Sequence, residues 1–225
     1  MSSTQVKIWM GLLLALVAAY GGYSLWRINR LRAEQQVTLT PTVSDRPLEP
    51  FTLTDRSGDE FDSASLQGQV WVASFFFSTC PGSCLKMNNS IAGLQEEFGP
   101  LGVTFVSITV DPENDTPDRL KEYSLHYKAR PEHWRFLTGD VADLKHVAND
   151  LFLLPFDKAA HSDRLMLVGP DGRVRARFSG TDPTQVAQLK KKLKSLLAEV
   201  QEPAAEGEAT AATATKSTND AEVAP

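Results

Sequence analysis

The chain has 225 residues, of which 42% are hydrophobic and 23% are charged, a composition typical of a globular protein rather than a disordered or fibrous one. A formal net charge of -5 leaves no basic field over the molecule and argues against nucleic acid as the main partner. Two cysteines are too few for a disulfide-rich scaffold, and a chain of this length can build a core without one. We therefore expect the two cysteines to have a chemical role rather than a structural one.

The first element is an apolar segment without charges, from Ile8 to Trp26. Its 19 residues would span about 28 Å as a helix, close to the hydrocarbon thickness of a bilayer. A cleavable signal peptide is the alternative, because small residues at 17–19 could form its cleavage site. The segment exceeds a usual signal-peptide core, however, and only Lys7 charges its front. We therefore predict a single transmembrane helix, with residues 1–26 as a membrane anchor and 27–46 as a polar linker.

The next 155 residues or so, 47–201, have the length of one ordinary domain. Its first half predicts an N-terminal hairpin in residues 51–63 and a buried strand at Val70–Phe77. A helix follows from Leu85 and ends at Gly99-Pro100, and a second buried strand is predicted at Val103–Val110.

The second half continues the alternation. It predicts a helix that begins at Asp115-Thr116-Pro117 and runs to about Tyr127, a short strand at Trp134–Leu137, a helix at Val141–Leu151, a hairpin of Arg164–Val168 with Arg173–Phe178, and a closing helix at Thr184–Val200. Strands that alternate with helices, followed by a late hairpin, indicate an α/β fold with a mixed central sheet.

The last segment, residues 202–225, contains almost no large apolar side chains. Such a segment cannot bury enough surface to offset the entropy of ordering. We therefore predict a disordered tail.

The chemistry concentrates at Cys80 and Cys84, between a predicted buried strand and the helix that follows it. Open α/β sheets place their sites at this edge, where the helix dipole favours thiolates. A spacing of four on a helix puts the two Cβ atoms about 5–6 Å apart, beyond the ~3.8 Å of a relaxed disulfide. A disulfide would need a distorted first turn, which Pro81-Gly82 could supply. A metal ion tolerates the wider separation, so both uses stay open and the spacing mildly favours metal.

Five segments stand out in chain order: FFFSTCPGSC at 75–84, VDPENDTP at 110–117, FLTG at 136–139, His161-Ser162 and GPDG at 169–172. Together these motifs resemble the Sco/SenC proteins. Leu85 departs from the family pattern, since many members have a second proline at that position.

This resemblance implies a thioredoxin-like fold on a single membrane anchor and copper binding through two cysteines and one histidine. By position, the copper ligands would be Cys80, Cys84 and His161. The resemblance also implies delivery of copper to the dinuclear copper centre of a respiratory cytochrome oxidase, whose copper-accepting subunit would be the partner. Soft thiolates with an imidazole suit copper, and three ligands leave Cu(I) open to transfer.

The resemblance conflicts with the charges that flank the anchor. Arg27, Arg30 and Arg32 follow the span, and the positive-inside rule would place the domain in the cytoplasm. The resemblance implies an inner-membrane protein with its domain on the periplasmic or extracytoplasmic side. We follow the resemblance, because the charge rule is statistical.

Other residues near these motifs have ordinary structural explanations. We expect surface or core positions for the remaining histidines and for Met87, and turn or cap roles for Asp111 and Asp115. The remaining histidines are His126, His133 and His146.

Two other functions use the same sulfurs. A thiol–disulfide oxidoreductase would use Cys80 and Cys84 as a redox-active pair to reduce the cysteines of the oxidase copper site. Such enzymes usually carry CxxC and a proline directly before the facing strand, and here no proline directly precedes Arg164. A thiol peroxidase or redox sensor ranks last, because Thr79 is adjacent to Cys80 rather than one turn before it.

Overall fold

The computed structural model describes residues 46–158 and 163–200, the backbone of 201–217, and part of the first 27 residues. The chain divides into two compact units, Met1–Thr42 and Val43–Pro225. In the first unit, the described residues between Gln5 and Arg27 are helical. No helix made of described residues has both the length and the hydrophobicity for a bilayer crossing. The anchor stays a prediction, and the linker lies outside the described residues except at its two ends.

The second unit is built on one mixed sheet of seven strands in the order β2-β1-β5-β4-β3-β6-β7. Neighbours β3, β4 and β5 are parallel, whereas the other pairs are antiparallel, so the predicted mixed sheet is confirmed. The strands are β1 Thr52–Asp55, β2 Glu60–Asp62, β3 Trp71–Phe76, β4 Thr104–Thr109, β5 Trp134–Thr138, β6 Arg164–Val168 and β7 Val174–Ser179.

Four α-helices and three short helical turns accompany the described strands of this unit. The predicted order of elements is confirmed, and most predicted ends lie within one to three residues of the observed ones. The helices are α1 Ser83–Phe98, α2 Pro117–Leu125, α3 Val141–Lys145 and α4 Pro183–Ser217; the turns are 3-10 segments at Ser63–Leu66 and Gly99–Leu101 and a π-helical segment at His146–Leu151.

The sheet determines where the site lies. All six residues of β3 are buried, because this central strand is covered on both faces. Since β3 and β4 are parallel, with Phe76 opposite Thr109, the loops that follow them leave from the same edge of the sheet. The loop after β3 carries Cys80 and leads into α1, whose first turn holds Cys84, and the loop after β4 carries Asp111 and Asp115.

The helix predicted at Val141–Leu151 changes type halfway. Beyond Lys145 it widens, and the Phe152 amide donates to the Val147 carbonyl five residues earlier, at 3.1 Å. The extra residue in the turn accompanies complete burial of Phe152, whose ring meets Trp71 and Phe75 edge-on at 6.0 and 5.4 Å between centroids. A pattern of apolar residues cannot reveal this wider turn, because it is a consequence of packing against the sheet.

The predicted disordered tail differs from the structure over part of its length. The backbone of α4 continues to Ser217, beyond the predicted end at Val200. Alanine and glutamate recur after Glu202, and both favour helix strongly. The lack of apolar residues predicts little burial but does not by itself prevent helix formation. Residues 218–225 lie outside the described part of the chain.

Gly180 provides a test of how α1 packs on the sheet. A Cβ at this position would lie 2.6 Å from Met87 Cγ and 3.2 Å from Leu165 Cγ, and Met87 is fully buried. We expect Gly180→Ala to lower the free energy of unfolding by about 1–3 kcal/mol, because the core must shift. In the exposed part of α1, a Cβ at Gly93 would meet nothing within 4 Å, so Gly93→Ala should stabilise by about 0.5–1 kcal/mol. Urea denaturation measures the free energy of unfolding of both variants. Equal effects of the two substitutions would contradict the close packing of Gly180 against Met87.

Candidate metal centre

Cys80 lies in the loop before α1, whereas Cys84 lies in the first turn of that helix. The Cys80 amide donates to the Phe77 carbonyl at 3.2 Å, and Gly82 caps the helix in a conformation (φ -147°, ψ -81°) that departs from helix geometry. The helix begins at Ser83, so Cys80 and Cys84 do not share a helical face, and Pro81-Gly82 lies in the non-helical segment between Cys80 and the helix. Only Cys84 is helical.

The two sulfurs are both reduced and interact directly. Cys84 is 2% exposed and Cys80 is half-buried, and the side chain of each cysteine shifts the pKa of the other. The Ser83 hydroxyl lies 3.8 Å from the Cys80 sulfur. A partner can therefore reach the sulfur of Cys80, whereas the sulfur of Cys84 is buried.

The same contacts give the two thiols very different acidities. Burial opposes ionisation of Cys80, but hydrogen bonds from the Gly82 backbone, the Cys84 thiol and backbone, and the Ser83 hydroxyl lower its pKa to about 7. Burial, together with the hydrogen bond to Cys80 and the charge on that sulfur, raises the pKa of Cys84 to about 12. Near neutral pH, Cys80 is therefore the sulfur of the pair that ionises, while Cys84 keeps its proton.

A buried carboxylate holds the loop that leads to Cys80. Asp115 is fully buried, and both of its carboxylate oxygens accept the Ser78 amide, at 3.1 and 3.2 Å. The Thr109 hydroxyl, at the end of β4, also donates to this carboxylate. The helix cap of α2 is not Asp115 but Thr116, whose hydroxyl accepts the Arg119 amide at 3.3 Å. The Asp115 carboxylate therefore stabilises the loop that leads to Cys80 and does not cap α2.

Asp111 extends this network to a distant part of the chain. Its amide donates to the Thr109 hydroxyl at 2.9 Å, and its buried carboxylate accepts the Asn114 side-chain amide at 2.9 Å. The ammonium of Lys158 lies 2.9 Å from the same carboxylate. Sequence reasoning does not find Lys158, because its partner is 47 residues earlier and only the fold brings the two residues together.

His161 lies outside the described residues, so its assignment as a ligand stays a prediction. Among the described residues, no three histidine, cysteine, aspartate or glutamate side chains are placed to hold a metal ion. Both neighbours of the undescribed segment 159–162 are anchored. Lys158 pairs with Asp111, and Asp163 accepts hydrogen bonds from the hydroxyls of Ser179 and Thr181.

The alternative ligands are placed as the sequence predicts. Met87 is fully buried beside Gly180, which confirms that it fills the core. His146 is exposed and pairs with Asp150 at 2.8 Å, while His133 packs against Gly99. His126 is an exposed residue at the end of α2.

The domain is an α/β fold with a mixed sheet, and two reduced cysteines lie where β3 leads into α1. This arrangement defines a thioredoxin-like protein with a reactive sulfur pair. The comparison with protein families identifies it further. The SCO1/SenC family model matches residues 40–198, and the chain belongs to that family.

Individual relatives agree with this assignment. A putative copper-binding protein of Stutzerimonas stutzeri is 30% identical over 201 residues, covering 83% of this chain and 93% of the relative. A structure of BsSco, described with a disulfide switch and as a member of the Sco family of cytochrome c oxidase assembly proteins, matches with a TM-score of 0.62 at 30% identity, covering 69% and 96% of the two chains. Copper-bound ScoI of Bradyrhizobium japonicum matches with a TM-score of 0.55 at 26% identity, covering 67% and 99%.

The acidity of Cys80 predicts how its alkylation depends on pH. The rate with iodoacetamide should rise with a midpoint near pH 7, because the thiolate is the nucleophile. In Cys84→Ala the midpoint should move upward, since the thiol that donates to Cys80 is lost. Mass spectrometry of the reduced metal-free protein follows the reaction. An unchanged midpoint in Cys84→Ala would contradict the hydrogen bond between the sulfurs.

Proposed function

We propose that this protein is a membrane-anchored copper chaperone. It binds copper through Cys80, Cys84 and His161 and delivers the metal to the dinuclear copper site of a respiratory cytochrome oxidase. The observation that carries the proposal is the reduced sulfur pair at the end of β3. Copper is the cargo, and the similarity to a putative copper-binding protein of Stutzerimonas stutzeri and to the copper-bound ScoI supports this choice.

The two sulfurs would take different parts in binding. Cys80 is the accessible thiolate and makes the first bond to an incoming copper ion. Cys84 must lose its proton to become the second ligand, so binding releases protons. The transfer of the metal to another protein needs an open coordination position, which two thiolates and one imidazole leave on Cu(I).

The anchoring of Asp163 supports His161 as the third ligand. Two residues of extended chain span at most about 7 Å, so His161 is tied closely to Asp163. The Asp163 carbonyl accepts the Gly180 amide at 2.7 Å, and Gly180 packs against Met87 in the helix that begins beside Cys84. Asp163, two residues after His161, is therefore attached to the part of the molecule that carries the sulfurs.

A thiol–disulfide oxidoreductase that reduces the cysteines of the oxidase copper site is the second candidate. The observation in its favour is the acidic, accessible Cys80 backed by a buried Cys84 thiol, an arrangement suited to attack on a disulfide followed by resolution. Asp163, rather than a proline, precedes β6. The two functions differ in their need for His161, because thiol exchange uses only the sulfurs.

Copper binding by single variants separates these functions. The reduced full-length protein should bind one copper ion, and Cys80→Ser or Cys84→Ser should abolish tight binding. His161→Ala should weaken copper binding strongly while the Cys80–Cys84 disulfide still forms, because the imidazole bonds the metal and not the sulfurs. Competition with a Cu(I) chelator and thiol titration measure the two properties. Unchanged copper affinity in His161→Ala would exclude the proposed ligand set.

The cellular counterpart uses His161→Ala as the only copy of the gene. As a chaperone, this variant should fail to support oxidase assembly at low copper and recover when copper is added in excess. As a reductase, it should support assembly nearly normally. Cytochrome oxidase activity of isolated membranes gives the readout, and normal activity at low copper would favour thiol exchange over metal transfer.

The proposed location puts the domain on the periplasmic or extracytoplasmic side of the inner membrane, despite the three arginines after the apolar segment. Protease added to intact spheroplasts should therefore digest the domain. A cytoplasmic protein serves as the control and should stay intact until lysis. Protection of the domain until the membrane is lysed would overturn the location and the assembly role with it.

A further inference from the structure

The two sulfurs lie in a stretch of chain without charged residue types. The eleven residues 75–85 contain no lysine, arginine, aspartate or glutamate. On either side of Cys80, both Thr79 and Pro81 are exposed. Apart from the Cys80 thiolate itself, the side chains that this stretch adds to the surface are therefore neutral, and Pro81 gives that surface an apolar part.

Leu85 adds a large apolar side chain to the same stretch. It is 51% exposed in the first turn of α1, directly after Cys84. A single exposed leucine is common on protein surfaces, so its position decides whether it matters. Here the leucine is the one large apolar side chain among the exposed residues of α1, and it lies at the end of the helix that carries the sulfur pair. The other exposed residues of this helix are Lys86, Asn89, Gly93 and Glu96.

The backbone keeps Leu85 close to the accessible sulfur. Its Cα is about 3.8 Å from that of Cys84. The backbone of Cys84 in turn donates a hydrogen bond to the sulfur of Cys80. A protein surface that reaches the Cys80 sulfur therefore comes close to the side chains of Pro81 and Leu85 as well.

The protein that has to reach this sulfur is the acceptor of the metal. In the proposed transfer, a bond between Cu(I) and a cysteine of this chain breaks as an acceptor thiolate bonds to the copper. The copper stays Cu(I), and the proton of the acceptor thiol passes to the released cysteine. Such an exchange brings the acceptor sulfur into contact with copper held at Cys80, so the acceptor surface must cover the residues beside it. A small contact suits a complex that separates after transfer.

We propose that Leu85 is a docking residue for the copper-accepting protein: together with Pro81 it packs against an apolar surface beside the acceptor's own copper-binding thiols. This inference rests on the proposed function, since it takes copper transfer as the reaction. Leu85 does not bind the metal. It acts on the encounter between the two proteins and not on the copper affinity of this chain.

The test is the rate of copper transfer from the Cu(I)-loaded full-length protein, in detergent, to the reduced metal-free copper-accepting domain of the oxidase from the same organism. The rate is measured over a range of acceptor concentrations. Leu85→Ser should raise the half-saturating concentration about 10-fold, equivalent to about 1.4 kcal/mol of lost contact. The maximal rate should not change, because the leucine takes no part in ligand exchange. Leu85→Ile should restore most of the effect, since it keeps the apolar volume.

Leu101 provides the matched control. It is 53% exposed and lies in the short turn after the other end of α1. The 16 residues of α1 extend over about 24 Å, so Leu101 is far from the sulfurs. Leu101→Ser removes the same apolar group at nearly equal exposure and should leave transfer unchanged. Competition with a Cu(I) chelator and the melting temperature should match the parent in every variant, which separates docking from metal binding and folding.

The outcomes distinguish the inference from the function it rests on. If Leu85→Ser transfers copper like the parent, the docking role is wrong and the proposed function stands. If Leu101→Ser slows transfer equally, the effect is not specific to the surface beside the sulfurs and the inference is overturned. If Leu85→Ser changes the oligomeric state measured by light scattering, the leucine serves self-association instead. If the loaded parent passes no copper to the acceptor, the proposed delivery fails and the inference fails with it.

Discussion

The buried carboxylate of Asp115 is the interaction on which the geometry of the site depends. It accepts the Ser78 amide with both oxygens and the Thr109 hydroxyl, and so it joins the loops that leave two parallel strands. A fully buried charge would be costly without these donors. With them, the chain after β3 is held in the course that takes it to Cys80, outside the helix, while Cys84 enters the helix.

This division of the cysteines between loop and helix produces their chemistry. Because Cys80 precedes α1, its sulfur can accept hydrogen bonds from Gly82, Ser83 and Cys84, and its pKa falls to about 7. Because Cys84 is inside the first turn, burial raises its pKa and keeps its proton in the metal-free protein. The Cys80 sulfur can bind a metal as a thiolate, whereas the Cys84 sulfur becomes a ligand only when the metal displaces its proton. Such a pair suits the uptake and release of a soft metal ion.

The sequence predicts most of the fold, because its local signals are strong where the elements are regular. The hairpin turn at Ser57-Gly58, the run of apolar residues in β3 and the proline that opens α2 each have a local cause, and each element is confirmed. The π-helical turn was missed, because burial of Phe152 against the sheet is a tertiary effect.

The site was predicted less completely than the fold, and for a related reason. The cysteines stand out in the sequence by their position between a strand and a helix. The use of Asp115 by Ser78 and the pairing of Lys158 with Asp111 depend on contacts between segments 37 to 47 residues apart. No periodicity or composition carries such information. X-ray absorption at the copper edge of the Cu(I)-loaded protein tests the central claim most directly: the account predicts two sulfur neighbours and one nitrogen, with the nitrogen lost in His161→Ala, and a copper ion surrounded by sulfur alone in the parent protein would contradict it.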